Sequence, residues 1–423
     1  MRIHNPTITG SLTVSGSNLN IDSSGNIVSL GSVTATEYIV SSSVTNLSIA
    51  TNSGSVAFGD SGDDIHQFTG SLSISGSSIA LGDGNNNVVL GRNVNLNVAG
   101  STYSTYIGYQ AAGGNEGTGI GGSDITVVGA RAGQQLQQNP HRTTLIGSST
   151  GRRINVGLDN TMVGAYAGSY LTGADYNVFM GTYAGYQTVD VDKTVIIGYQ
   201  AGYADMTSGA DGTIAIGYQA GYAVTSGAGN TAIGYQSGYS NLTGGYNTLL
   251  GYQAGYNLLT DNNVAIGWQA LYKIGDAAGS GHGENNVAIG LAAMAGGDDT
   301  DGNNIGYKNV AMGTATLGGA TRSSDGAAFT GYENVAIGYN AGTNVSTSYR
   351  SVMIGTGAGD AITTTPGVVL IGYNAGGAIN HDDAAYTVAI GQSAGAAITS
   401  GRYQTLVGYN AGVSITEGDS NTF

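Results

Sequence analysis

Cysteine is absent from all 423 residues. Its absence removes disulfide frameworks, thiolate zinc sites and cysteine nucleophiles. Charge is scarce too. Lys, Arg, Asp and Glu make up 9% of the chain, against roughly 25% in an ordinary globular protein. The 12 basic residues are outnumbered by 27 acidic ones, for a net charge of -15. Such a surface repels phosphate, which argues against a nucleic-acid partner. No apolar run reaches ~18 residues, so no helical membrane insertion is expected. The first ten residues, Met1 to Gly10, lack an apolar signal segment, and no export by that route is expected. What the chain does have is 74 Gly, 27 Tyr and 40% hydrophobic residues. The apolar residues recur at regular spacing, which argues against disorder.

The recurrence is an internal repeat. A Gly follows an aliphatic residue at Gly108, Gly129, Gly147, Gly164, Gly181, Gly198, Gly217, Gly234, Gly251, Gly267, Gly290, Gly313, Gly338, Gly355, Gly372, Gly391 and Gly408, which makes 17 units. Most spacings are 16 to 19 residues, and those from Gly267 to Gly338 are 23, 23 and 25. Paired-helix repeats need about 33 residues or more. A period near 17 suits one coil of a parallel β-solenoid, with two short strands and two turns.

The residue before each anchor glycine is aliphatic, and the residue three before it is Thr, Val or Ile, as in Thr161, Val178 and Ile214. β-branched residues suit strands, and the period of two puts both columns on one face. The column between them points the other way and is also apolar: Tyr106, Val127, Leu145, Met162, Phe179, Ile196, Ala215. A strand apolar on both sides is normally buried on both. One coil can cover one face with its own interior. The other face needs another surface, and several copies packed around an axis supply it. A threefold arrangement is the preferred reading, with a dimer left open.

After the anchor comes a Tyr, Gln or Asn, Ala, Gly pattern, as in Gly217-Tyr218-Gln219-Ala220-Gly221. The small third residue predicts close approach of a second backbone, and the glycine a turn with positive φ. Tyr186, Tyr203, Tyr222, Tyr239 and Tyr256 follow this glycine and would stack in a ladder. Stacking and surface cover is the first reading of that ladder; an aromatic rail for sugars is the second. Asn160, Asn177, Asn230, Asn247, Asn263, Asn286, Asn309 and Asn334 open their strands. Stacked amides there would hydrogen-bond along the solenoid and satisfy turn backbone.

Residues 1–100 differ. Gly10-Ser11-Leu12-Thr13-Val14-Ser15-Gly16-Ser17 recurs as Gly70-Ser71-Leu72-Ser73-Ile74-Ser75-Gly76-Ser77, alternating strands bounded by turn residues. The apolar content is too sparse for a monomeric core and fits an attachment or shaft region. Degenerate forms of the anchor occur near Gly59, Gly82 and Gly91, so the boundary with the array at 101–423 is soft. Ser420-Asn421-Thr422-Phe423 matches the start of a further unit, which reads as an array interrupted within a repeat.

Units such as Asn334-Val335-Ala336-Ile337-Gly338-Tyr339-Asn340-Ala341-Gly342 resemble the repeat region of bacteriophage tail fibres and the head of trimeric autotransporter adhesins. The resemblance covers about residues 100–423. It implies an all-β, left-handed parallel β-roll and a homotrimer. The units at Gly267, Gly290 and Gly313 depart from Ala-Gly and carry Leu271, Met294 and Leu317 instead; the variant Ile-Gly-Tyr-Gln-Ala-Leu also resembles phage fibres. The missing signal segment favours the phage branch, because virion proteins assemble in the host cytoplasm. Phage fibres of this kind often end in an autoprocessing chaperone, and no such domain is present in the sequence. A structural, non-enzymatic tail fibre is therefore expected. It would be joined to a tail or baseplate protein through residues 1–100 and would meet a host surface glycan or protein receptor. A cell-surface trimeric adhesin or extracellular filament is the alternative, and a polysaccharide depolymerase the third.

Catalytic patterns are weak. His4, His66, His141, His282 and His381 are scattered without metal-ligand spacing, and His381-Asp382-Asp383 reads as a solvated loop. The acidic segment Asp298-Asp299-Thr300-Asp301-Gly302 misses the calcium-loop pattern. Asp190 and Asp192 form a weaker version. No cofactor, metal or catalytic residue is assigned. The longer loops between Gly267 and Gly338 are the receptor-contact candidates, since solenoid insertions project from one face. They carry Lys273, His282, Glu284, Asp298, Asp301, Lys308, Arg322, Phe329 and Tyr332.

Overall fold

The computed structural model describes residues 19–21, 27–29, 86–94, 101–113, 121–136, 140–274, 283–296, 306–318 and 329–423. The chain divides into two compact units, Met1–Ser77 and Ser78–Phe423. In the first, Leu19–Ile21 pairs antiparallel with Ile27–Ser29. The alternating segments at 10–17 and 70–77 lie outside the described residues.

The second unit is a parallel β-solenoid. Eighteen three-residue strands, from Val88–Leu90 to Thr405–Val407, stack in one ladder. Each pairs in parallel with its neighbours in sequence without slip; Ala215 lies opposite Ala232, and Ala232 opposite Leu249. No pairing joins the first strand to the last among the described residues, so the ladder is open-ended. It starts one unit ahead of Gly108, at the degenerate anchor Gly91. At ~4.8 Å per strand, seventeen steps give a stack of roughly 80 Å. Helix among the described residues is limited to the 3-10 turns Ser208–Ala210 and Asp382–Ala384.

Each coil has one ladder strand, where the repeat length suggested two. The far side is held coil to coil by turn backbone: the Gly238 N–H donates to the Ala254 carbonyl at 3.0 Å and the Ser240 N–H to Tyr256 at 2.8 Å. Among the described residues only Asn257–Leu258 and Lys273–Ile274 pair there as strands.

Four columns point inward. The middle strand residue is buried in every ladder strand after the first, where Val89 is partly buried, with Tyr106, Phe179 and Leu249 fully covered. The Ala three after the anchor is buried, as at Ala201 and Ala254. So is a residue seven after it, at Leu136, Ile154, Leu171 and Leu258. The fourth column holds the strand-opening Asn. The Asn247 N–H donates to Asn230 Oδ1 at 3.0 Å, Asn263 to Asn247 at 2.9 Å and Asn286 to Asn263 at 2.9 Å. Asn230 Nδ2 donates to the Gly244 carbonyl at 2.7 Å. This amide ladder satisfies turn backbone that burial would otherwise leave unpaired.

The three units that depart from Ala-Gly follow a packing rule. A Cβ on Gly255 would lie 2.7 Å from Leu249 Cδ2, and one on Gly342 would lie 2.8 Å from Met353 Sδ. Leu271, Met294 and Leu317 occupy that same left-handed position, at φ 48°, 46° and 50°, and are fully buried. Their own strands and the next ones carry Ala265, Ala288, Ala311 and Ala336 in the inward column, so room exists. The strain of a side chain in that conformation costs about 1–2 kcal/mol. Burying a Leu or Met, worth about 1.5–3 kcal/mol, offsets it.

Candidate functional site

The insertion candidates separate. Lys308 and Tyr332 lie on adjacent turn columns, Tyr332 in register with Tyr307 and Tyr349 and Lys308 in register with Glu333 and Arg350. Tyr332 stacks between Tyr307 and Tyr349, with centroids 5.1 and 5.0 Å away and planes within 4°. The Lys308 ammonium stands 5.5 Å from the Tyr307 ring centre and the Arg350 guanidinium 5.9 Å from that of Tyr349. Arg350 Nε also donates to Glu333 Oε2 at 2.9 Å. Glu284 is one coil away, its carbonyl accepting from the Lys308 N–H at 3.0 Å, and its Oε2 is buried without a hydrogen bond. Lys273 sits elsewhere on the coil, in the strand Lys273–Ile274, with its ammonium 5.8 Å from the Tyr272 ring. Phe329 is 3% exposed and part of the core. His282, Asp298, Asp301 and Arg322 lie outside the described residues.

A second surface is more regular. Tyr199, Tyr218, Tyr235, Tyr252 and Trp268, each just after an anchor, stack at 5.5, 5.0, 5.1 and 6.1 Å with planes within 16°. The expected ladder Tyr186, Tyr203, Tyr222, Tyr239 and Tyr256 runs beside it and reaches Tyr272, at 5.0 to 5.3 Å. Burial pushes the Tyr222 and Tyr256 phenols above their usual range. Tyr186 is raised by burial first and then by its hydrogen bond with Tyr170.

Between these ladders runs a column of amides. Gln219 Nε2 donates to Gln200 Oε1 at 2.9 Å, Gln236 to Gln219 at 2.9 Å, Gln253 to Gln236 at 2.9 Å and Gln269 to Gln253 at 2.7 Å. All five glutamines sit at φ of 50° to 53°. Tyr183 occupies the same column one coil earlier and lies 6.3 Å from Tyr199 and 6.4 Å from Tyr203. The three columns therefore form one face. The Gln-Ala-Gly pattern was visible in the sequence, but side-chain amide pairing across coils follows from the exact stacking of turns.

Carboxylates are largely spent on coil-to-coil bonds. Asp192 Oδ1 accepts from the Asp175 N–H at 2.7 Å, and Asp211 Oδ1 from the Asp192 N–H at 2.9 Å. Asp383 pairs with Arg402 and with His381. A hydrogen bond and charge contact with Arg142 hold the half-buried Asp159 carboxyl below its usual range. Among the described residues, no group of three or more His, Asp or Glu could hold a metal ion, and no helix is long and apolar enough to cross a membrane.

Asp360 is the exception, its carboxyl raised by burial against the opposing pull of the backbone N–H groups of Asp360 and Ala361. A raised acid favours the protonated folded state. Its stabilising contribution is complete below the unfolded carboxylate pKa and is lost as pH rises through the folded one. Asp360→Asn should thus melt at higher temperature than the wild type at neutral pH, and the gap should close below the carboxylate range. Thermal melts by circular dichroism across that range check it.

The chain matches no protein-family model, and no curated protein matches it at a significant level.

Proposed function

We propose that this protein is a structural, non-enzymatic fibre subunit of a bacteriophage virion, assembled as a homotrimer in the host cytoplasm and carried outside on the released particle. One observation supports the assembly above all. The two outward columns of the strand ladder hold only Val, Thr, Ile, Leu and Met over all eighteen strands, without one charge. Met180 is 41% and Leu250 45% exposed in the single chain. A continuous apolar strip of this length is an interaction surface rather than a solvated one. Strips from three parallel copies would cover one another along a common axis.

The functional logic is mechanical. Backbone and amide ladders make each coil depend on its neighbours, which gives a stiff rod. Residues 1–100 would join a tail or baseplate protein, and the rod would hold its receptor-contacting surfaces away from the particle. Three sites per fibre raise weak affinities through avidity. A host surface glycan or protein would be the receptor, with the adjacent columns of Lys308 and Tyr332 among the candidate contacts.

Immunogold electron microscopy with antibody against residues 1–100 tests this reading. Gold at the tail or baseplate of virus particles is the expected result. Gold on cell envelopes with no particles would overturn it in favour of a surface adhesin.

A further inference from the structure

We propose that the face built by the two Tyr ladders and the Gln column between them binds a neutral, extended polysaccharide, one sugar per coil. The inference deepens the attachment reading and rests on it for the source of the glycan, but the site chemistry is argued from the face itself.

The residues of the three columns themselves are uncharged, on a chain of net charge -15; the Lys273 ammonium, 5.8 Å from the Tyr272 ring, stands at one end of the second ladder. Along the phenol and amide columns from Tyr199 to Tyr252 an anionic ligand would find no repeating counter-charge, and a cationic one no repeating carboxylate. Hydrogen-bonding capacity is abundant instead. The hydroxyls of Tyr199, Tyr218, Tyr235 and Tyr252 make no hydrogen bond among the described residues, and these side chains are 42 to 44% exposed. Gln219, Gln236 and Gln253 each give one amide N–H and accept one within the column. A primary amide has a second N–H and a second lone pair. Each coil therefore repeats the same set: one phenol, one amide donor, one amide acceptor.

The ring faces are covered by the neighbouring rings, so a ligand meets ring edges. The edge of an aromatic ring is its positive rim, suited to the oxygens of a sugar rather than to an apolar surface. The repeat of 5.0 to 5.5 Å along Tyr199, Tyr218, Tyr235 and Tyr252 is close to the advance per residue of an extended β-1,4-linked pyranose chain. A linear glycan lying parallel to the rod would then keep register over five coils. A coiled α-linked glycan would lose register after one or two. Each rung contributes little, and affinity comes from their number.

Trp268 is the only tryptophan and ends the outer ladder, so its emission reports on the face. The test titrates the intact protein with cellohexaose and chitohexaose, with maltohexaose as the coiled control. The triple variant Tyr218→Phe, Tyr235→Phe, Tyr252→Phe keeps the stacked rings and removes three hydroxyls. At least one extended hexasaccharide should change Trp268 emission saturably and bind about tenfold tighter than maltohexaose. The triple variant should bind it about tenfold more weakly, a loss near 1.4 kcal/mol, with an unchanged melting curve. No saturable binding of either extended sugar, or equal binding by the triple variant, overturns the proposal. So does full protection of Trp268 from acrylamide quenching in the assembled protein, which would place the face between copies. Virion labelling is a separate readout: particles bearing the fibre with no sugar binding would sink the ridge and leave the fibre standing.

Discussion

Gly234→Ala is expected to break the solenoid at that coil, with a loss of about 4 kcal/mol or more. Gly234 has φ 137°, and a Cβ there would lie 2.3 Å from the Gly251 carbonyl oxygen and 2.7 Å from its carbon. Both atoms are backbone of the next coil and cannot rotate away. The coils would have to part, which would stretch the bond from the Gly251 N–H to the Ile233 carbonyl, now 2.9 Å. Gly221→Ala is the control. It has φ 57°, and its added Cβ would meet only Ala215 Cβ at 3.2 Å and Val224 Cγ2 at 3.5 Å. That change should cost about 1–2 kcal/mol, the ordinary price of a left-handed alanine. Long repeat arrays depart from two-state unfolding, so hydrogen exchange resolved by peptide is the suitable measurement. Protection over 215–260 should collapse in the first variant and persist in the second. Equal protection in both would mean that the close approach of anchor glycines does not hold the coils together.

The double substitution Ile233→Asp with Ile266→Asp is expected to abolish assembly and leave the single-chain coil intact. Both are the last residue of their strand and lie in an outward column, half-exposed in one chain, while their neighbours Ala232 and Ala265 face the core. In a trimer with these strips at its centre, six carboxylates would be buried near one another. Each unpaired charge costs several kcal/mol after relaxation, far beyond what the strip can offset. Light scattering should give a three-chain mass for the wild type and a one-chain mass for the variant, with matching circular dichroism. A variant with the wild-type mass would refute the assignment of this face, and a wild type of one-chain mass would refute the trimer.

The strand ladder was legible because its columns are nearly invariant in type along the repeat. Thr161, Val178, Val195 and Ile214 share one chemistry, and the Asn column pairs as its position implied. The inward column seven after the anchor escaped notice. It reads Leu136, Ile154, Leu171, Thr188, Val224, Asn241, Leu258, mixed in polarity, and in the coil of Gly198 it slips by one, with Asp205 exposed and Met206 in the core. The Gln column looked like turn sequence, since a polar residue in a left-handed turn is ordinary. Phe329 stood among loop residues and proved to be core, because an inserted segment can return a side chain to the interior without any periodic sign.

By itself the sequence determined the period, the strand, the anchor glycine and the amide ladder, since each is a local requirement met again in every coil. It could not decide which of two apolar strand faces is inside. Size does not choose: Ile233 and Ile266 face out beside Ala232 and Ala265, while Tyr106 and Phe179 face in beside Thr105 and Val178. The interior is shared between the strand and the turn opposite. Facing the large inward Phe179, the turn carries a glycine, Gly185, where a Cβ would lie 2.7 Å from Phe179 Cε2. Tertiary structure alone settled that competition for space, and with it where Leu271, Met294 and Leu317 could replace glycine.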